Sequence, residues 1–185
     1  MTVDTERVIE ALAVRLARAH EELEACFELP EDRLGCRPAP DSWSPSEVLE
    51  HVSLTSHYLL LLVQKIAEKV RRRQERGLTS LFAPPHFEHL DGFATREYAW
   101  DCPEHMLPTG KAAPREVRTR LRVQARAIAE LLDEFPDGAG SLHELRLTLL
   151  DPDAHNGDGL DLYQFLHFLG LHAERHLAQI GRALG

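Results

Sequence analysis

The sequence predicts an all-α fold: a four-helix bundle with long crossover connections, occupying residues 1–185 as a single domain. Three observations predict it. Four segments repeat apolar residues at three- and four-residue steps, and no stretch alternates strongly enough for a sheet. At 185 residues the chain is long enough to bury a core without staples. Two long connections separate the helical segments, as in bundles with crossovers.

The first helix carries Val8, Leu12, Leu16, Ala19 and Leu23 on one stripe, with Cys26 or Phe27 after them, and Pro30 closes it. The second has the clearest start. Ser44 can cap, Pro45 suits the first helical position, Glu47 completes a capping box, and Trp43 with Val48 forms a hydrophobic staple. Its stripe runs Val48, Val52, Thr55, Leu59, Leu62, Ile66 and Val70. Arg71-Arg72-Arg73 near its end complements the helix dipole and reads as a solvated helix end. The third helix starts near Pro114, runs from Val117 to Phe135 and stops at Pro136. The fourth follows the Gly157-Asp158-Gly159 turn and carries Leu162, Leu166, Leu169, Ala173, Leu177, Ile180 and Leu184.

The connection from Gly77 to Ala113 has Pro84, Pro85, Pro103 and Pro108, and a short helix is expected around His89 to Trp100. Its aromatics, Phe82, Phe87, Phe93, Tyr98 and Trp100, are too many for a solvated linker, so it should pack on the bundle. The connection from Pro136 to Gly159 holds one weak apolar segment, Leu142 to Leu150.

The net charge of -9 argues against nucleic acid as a partner, because phosphate backbones select basic surfaces. The longest apolar run, Tyr58 to Val63, is far short of the ~20 residues of a membrane span. The first residues, MTVDTERVIEAL, lack the basic and apolar regions of a signal peptide. Cys26, Cys36 and Cys102 are odd in number and widely spaced, which fits reduced thiols rather than a disulfide framework or a zinc ribbon. A cytoplasmic protein is the expectation.

Eleven histidines are present, and His172-Ala-Glu-Arg-His176 places two of them four apart on the fourth helix. Such residues lie about 40° apart in projection, so both rings can face one metal ion. With so many histidines one such pair is within chance, and hydrogen-bonded core or surface histidines are the alternative reading. Both residues border the apolar stripe, as does His51 on the second helix, three after Val48. Together they form a three-histidine set facing the bundle interior, with coordination positions left for water or substrate. His20, beside Ala19, is a conceivable fourth ligand. His167 should point away from the set, His57 is a poor angular match, and the loop histidines 86, 89, 105, 143 and 155 should be solvated. No Ser-His-Asp or Cys-His pairing stands out, and Cys36 as a nucleophile has no support from spacing.

The stretch Asp41-Ser-Trp43-Ser44-Pro45-Ser46-Glu47-Val-Leu-Glu-His51-Val resembles the second-helix signature of the DinB/YfiT-like superfamily. The stretch from Phe165 through His172, Arg175, His176 and Gln179 to Ile180 is similar to its fourth-helix signature. The resemblance covers nearly the whole chain. It implies a four-helix bundle with a long second connection and a metal site on His51, His172 and His176, usually described with zinc, nickel or iron. Zinc is the first expectation here, with manganese a further alternative. Members include transferases using bacillithiol and isomerases using mycothiol, and dimers are common. The resemblance therefore implies a metal-dependent S-transferase or a related hydrolase or isomerase, taking a small-molecule thiol and an electrophile, as a homodimer. A non-catalytic metal-binding or stress-related interaction module is the alternative.

Overall fold

The structure, a computed structural model, describes residues 3–78, 85–94, 102–146 and 159–185. Five α-helices are formed among them: α1 (Val3–Cys26), α2 (Glu31–Gly35), α3 (Pro45–Glu75), α4 (Pro114–Glu134) and α5 (Leu162–Leu184). Short 3-10 turns occupy Glu88–Ala94, Glu104–Met106 and Ala139–Leu142. The one β pairing among the described residues is an isolated antiparallel bridge between Leu145 and Leu160.

The four long helices are those expected, and α2 is an addition. Pro30 closes α1 as predicted, but its fixed φ then opens a five-residue helix whose Leu34 is buried against α3. Of the expected helix from His89 to Trp100, the described part lies in the 3-10 turn Glu88–Ala94, and residues 95–100 fall outside the described residues. Phe82, Pro84, Tyr98, Trp100, His155 and the Gly157-Asp158 pair lie outside the described residues.

The start of α3 follows the sequence expectation. Ser44 Oγ accepts from Glu47 N–H at 3.3 Å, and Glu47 Oε2 accepts from Ser44 N–H at 2.9 Å. Trp43 packs against the cluster that contains Val48. The cap of α5 uses the same logic with different residues. Asp161 accepts from Gln164 N–H at 2.8 Å, and Gln164 Oε1 accepts from Asp161 N–H at 3.0 Å.

Helix α3 packs on α5 and α4, and α1 packs on the same two, so α1 and α3 stand on one diagonal of the bundle. The core forms two apolar clusters. Along every helix the change from one to the other falls at one level: between Leu16 and Ala19, Val52 and Leu59, Leu121 and Ile128, and Leu171 and Ala173. The order of the clusters fixes the directions. Helices α1 and α5 run one way, and α3 and α4 run the other.

Adjacent parallel helices cannot be joined by a turn. The α3–α4 connection must return along the bundle, a distance of about 31 Å for the 21 residues of α4. Its described parts do pack on the bundle. Phe87, Leu90 and Phe93 join one cluster, Ala112 joins the other, and Met106 is buried between them in sequence. The α4–α5 connection joins antiparallel helices, so the crossover is the earlier one.

Because Ser44 both accepts and donates within the box, Ser44→Ala is expected to lower stability by about 1 kcal/mol. The urea midpoint, at unchanged denaturant slope, measures it.

Candidate metal centre

His51 sits two turns into α3, and His172 and His176 share one face of α5, the antiparallel neighbour of α3. The start of α3 therefore lies opposite the second half of α5. The structure brings the three predicted residues together, with their ligand nitrogens all within 4.8 Å of one another. They are 5%, 6% and 8% exposed, so none faces bulk solvent. Ring centroids are 4.5–5.1 Å apart.

Outer contacts set the tautomers. His51 Nδ1–H donates to the Met106 carbonyl at 2.8 Å, so Nε2 of the neutral ring carries a lone pair. That Nε2 meets Nε2 of His172 at 3.2 Å. Two such nitrogens need a proton or a cation between them. Ligands about 2.0–2.1 Å from one tetrahedral ion would be about 3.3–3.4 Å apart, close to this separation. His176 Nδ1–H donates to Gln179 Oε1 at 2.8 Å, which leaves its Nε2 as the lone-pair nitrogen. The donor set therefore fits a divalent ion: neutral imidazoles, two of which, His51 and His176, have their outer N–H groups already held.

Burial keeps the rings neutral. It pushes His51 below the ordinary imidazole value and His172 well below it, the latter helped by His176, His51 and Arg175. Burial, reinforced by His51, lowers His176 to about 3.

A cavity of about 140 Å³ opens onto the cluster. Trp43, Leu59, Phe93 and Phe168 give it apolar walls, Cys102, Pro103 and Met106 come from the crossover, and Arg175 and Thr55 add polar groups. Thr55 Oγ1 is buried and has no hydrogen-bond partner among the described residues. Cys102 is no fourth ligand. Its Sγ lies 3.9 Å from His51 Nδ1, the nitrogen turned toward Met106 and away from the converging Nε2 atoms, and it does not join the group of ligand atoms within 4.8 Å of one another.

The other histidines stay apart from the cluster. His20, the conceivable fourth ligand, donates from Nδ1–H to Leu16 O (2.8 Å) on its own helix. His167 points away as expected and is buried, stacked on Phe87 at 4.4 Å and bonded to Asp91 at 3.2 Å. His57, His86, His89 and His105 are exposed. Cys36 is exposed at the end of α2 and does not line this cavity. Sequence reasoning missed the supporting groups. Gln179, three residues after His176, was readable from helical spacing, whereas the Met106 carbonyl, 55 residues from His51, had no local signal.

The sequence profile of the DinB superfamily matches residues 15–180. The chain belongs to the DinB superfamily. No curated protein and no solved structure shows significant similarity to it. A buried three-histidine cluster in a DinB superfamily chain fits metal binding. No helix among the described residues is long and apolar enough to cross a membrane.

The lowered imidazole pKa values have a consequence for the metal-free protein. Below about pH 6.5 the unfolded chain takes up protons on these rings while the folded chain does not. Stability is therefore complete above that pH and declines as pH falls toward 3, the range over which His176 stays neutral only when folded. Urea midpoints between pH 7.5 and 5 should fall in the wild type and fall less in His176→Gln.

Proposed function

We propose that this DinB superfamily chain is a zinc-dependent enzyme that joins a low-molecular-weight thiol to an electrophilic carbon. The observation that carries the reading is the cavity open onto three histidines, with no fourth protein ligand among the described residues. Structural zinc is closed by four protein ligands, whereas catalytic zinc keeps a position for water or substrate. Imidazole donors also suit nickel and iron, so zinc is the first choice within a short list. A divalent ion held there supplies a full positive charge that lowers the pKa of a thiol or water and favours its anion.

The chain's own residues do the rest. His51, His172 and His176 bring no negative charge, so the charge of the ion stays available to the anion. Arg175 adds a positive group, and among the described residues no carboxylate lines the cavity to oppose it. Trp43, Leu59, Phe93 and Phe168 exclude water from the reacting atoms, which strengthens each electrostatic contact. Thr55 holds a hydroxyl whose hydrogen bond is not used by the described residues. In the reaction the thiol gives its proton to solvent, its sulfur bonds to the electrophilic carbon, and the leaving group departs with the electron pair.

The test uses protein purified without a polyhistidine tag, stripped of metal and reloaded with one equivalent of zinc. Glutathione, bacillithiol and mycothiol are assayed against 1-chloro-2,4-dinitrobenzene and a bimane halide. At least one thiol should be conjugated faster than by zinc alone, and His172→Ala should abolish the gain together with stoichiometric zinc. Tight zinc binding with no acceleration for any pair would replace this reading with a non-catalytic metal-binding module.

A further inference from the structure

The segment carrying Met106 is fastened to α3 by contacts that the proposed chemistry does not use. Glu50, the residue before His51, is a carboxylate only 4% exposed. Thr109 Oγ1 donates to its Oε1 at 2.7 Å, and Gly110 N–H donates to its Oε2 at 2.9 Å. Thr109 Oγ1 also accepts from Lys111 N–H at 3.1 Å, which squares the turn. Gly110 has φ +67°, and a Cβ there would lie 3.1 Å from Glu47 Oε1. Both facts call for glycine. Four residues earlier in the same segment, Met106 O accepts from His51 Nδ1.

We propose that Glu50, Thr109 and Gly110 form a latch that fixes the tautomer and orientation of His51 through the Met106 carbonyl. Glu50 and His51 are consecutive on one rigid helix, so a segment pinned to the first is held at a set position beside the second. A buried carboxylate stripped of its donors is costly, and its hydrogen bonds are charge-assisted, so the segment does not lift freely. Without the carbonyl, only the long contact from Cys102 Sγ, at 3.9 Å and on the same segment, remains at His51 Nδ1. The other tautomer would aim an N–H at His172 and remove a ligand lone pair. The same segment brings Cys102, Pro103 and Met106 to the cavity, so one latch sets both a cavity wall and a ligand ring. Glu50 is thus a positioning residue. Its effect on metal affinity rests on the metal reading above, and its effect on the tautomer does not.

The test reads the His51 ring by long-range proton–nitrogen NMR in metal-free protein, for wild type, Thr109→Val, Glu50→Ala and the double variant. Wild type should show one tautomer, with the proton on Nδ1. Thr109→Val and Glu50→Ala should show a mixture. Zinc affinity by competition should fall about 10- to 100-fold in Glu50→Ala, the usual effect of losing an outer-shell partner. The double variant should lose little more, because both changes break one connection. Tyr163→Phe removes a buried bond to Phe135 O in the other core cluster and controls for lost stability alone. It should lower the melting temperature and leave tautomer and affinity unchanged. Should Glu50→Ala not fold, Thr109→Val decides. An unchanged Nδ1–H tautomer in the latch variants, or an equal change in Tyr163→Phe, overturns the proposal. If wild type binds no zinc the metal reading fails, and the tautomer result still decides the latch.

Discussion

Three imidazoles buried side by side at the seam between two apolar clusters place a demand on everything around them. A buried ring must be neutral, and each of its nitrogens needs a partner. For two of the rings the structure meets the outward half of this demand, with a backbone carbonyl for His51 and a glutamine side chain for His176. The inward half is a set of nitrogens converging on one point, with the first pair 3.2 Å apart. An alternative sequence could have filled this level with leucine, as the layers on either side are filled. The polar seam instead carries Thr55 and Gln124 at the same register, with Gln124 Nε2 donating to Ser53 O at 2.8 Å. Stability is given up there for a site, which is the usual relation between a core and a functional centre.

The bundle topology makes that site possible. Antiparallel α3 and α5 bring the start of one helix against the second half of the other, so a ligand near the α3 cap meets two ligands late in α5. Parallel α3 and α4 force the connection between them to travel the length of the bundle. A segment imposed by topology thereby passes the histidines and supplies Met106 O, Cys102 and Pro103. Its length in sequence and its place at the site have one cause.

What could be read from the sequence was what repeats or caps locally. The stripes of α1, α3, α4 and α5 and the Ser44–Glu47 box depend on residues within a turn or two, and they were legible. So was the pairing of His172 with His176, which is set by helical geometry. That His51 joins them depends on the antiparallel placement of α3 and α5, and only its position on the apolar stripe hinted at this. The burial of His167 was not legible, because it depends on Phe87 and Asp91 from a distant turn. Glu50 reads as an ordinary surface carboxylate in an amphipathic helix. Its burial becomes visible only when Thr109 and Gly110 arrive from 59 and 60 residues away. Helix α2 was hidden for a different reason: five residues are too few to show a period.

An open centre built by three imidazoles, with no fourth protein ligand among the described residues, is what the functional reading rests on. Zinc-edge X-ray absorption on the protein loaded with one equivalent of zinc tests it most directly. Three imidazole nitrogens at about 2.0–2.1 Å, at least one further light atom from solvent, and no sulfur are expected. A sulfur shell at about 2.3 Å would mean that Cys102 or another cysteine closes the site, and fewer than three imidazoles would mean that the cluster is not the centre. Either result would overturn the open three-histidine centre.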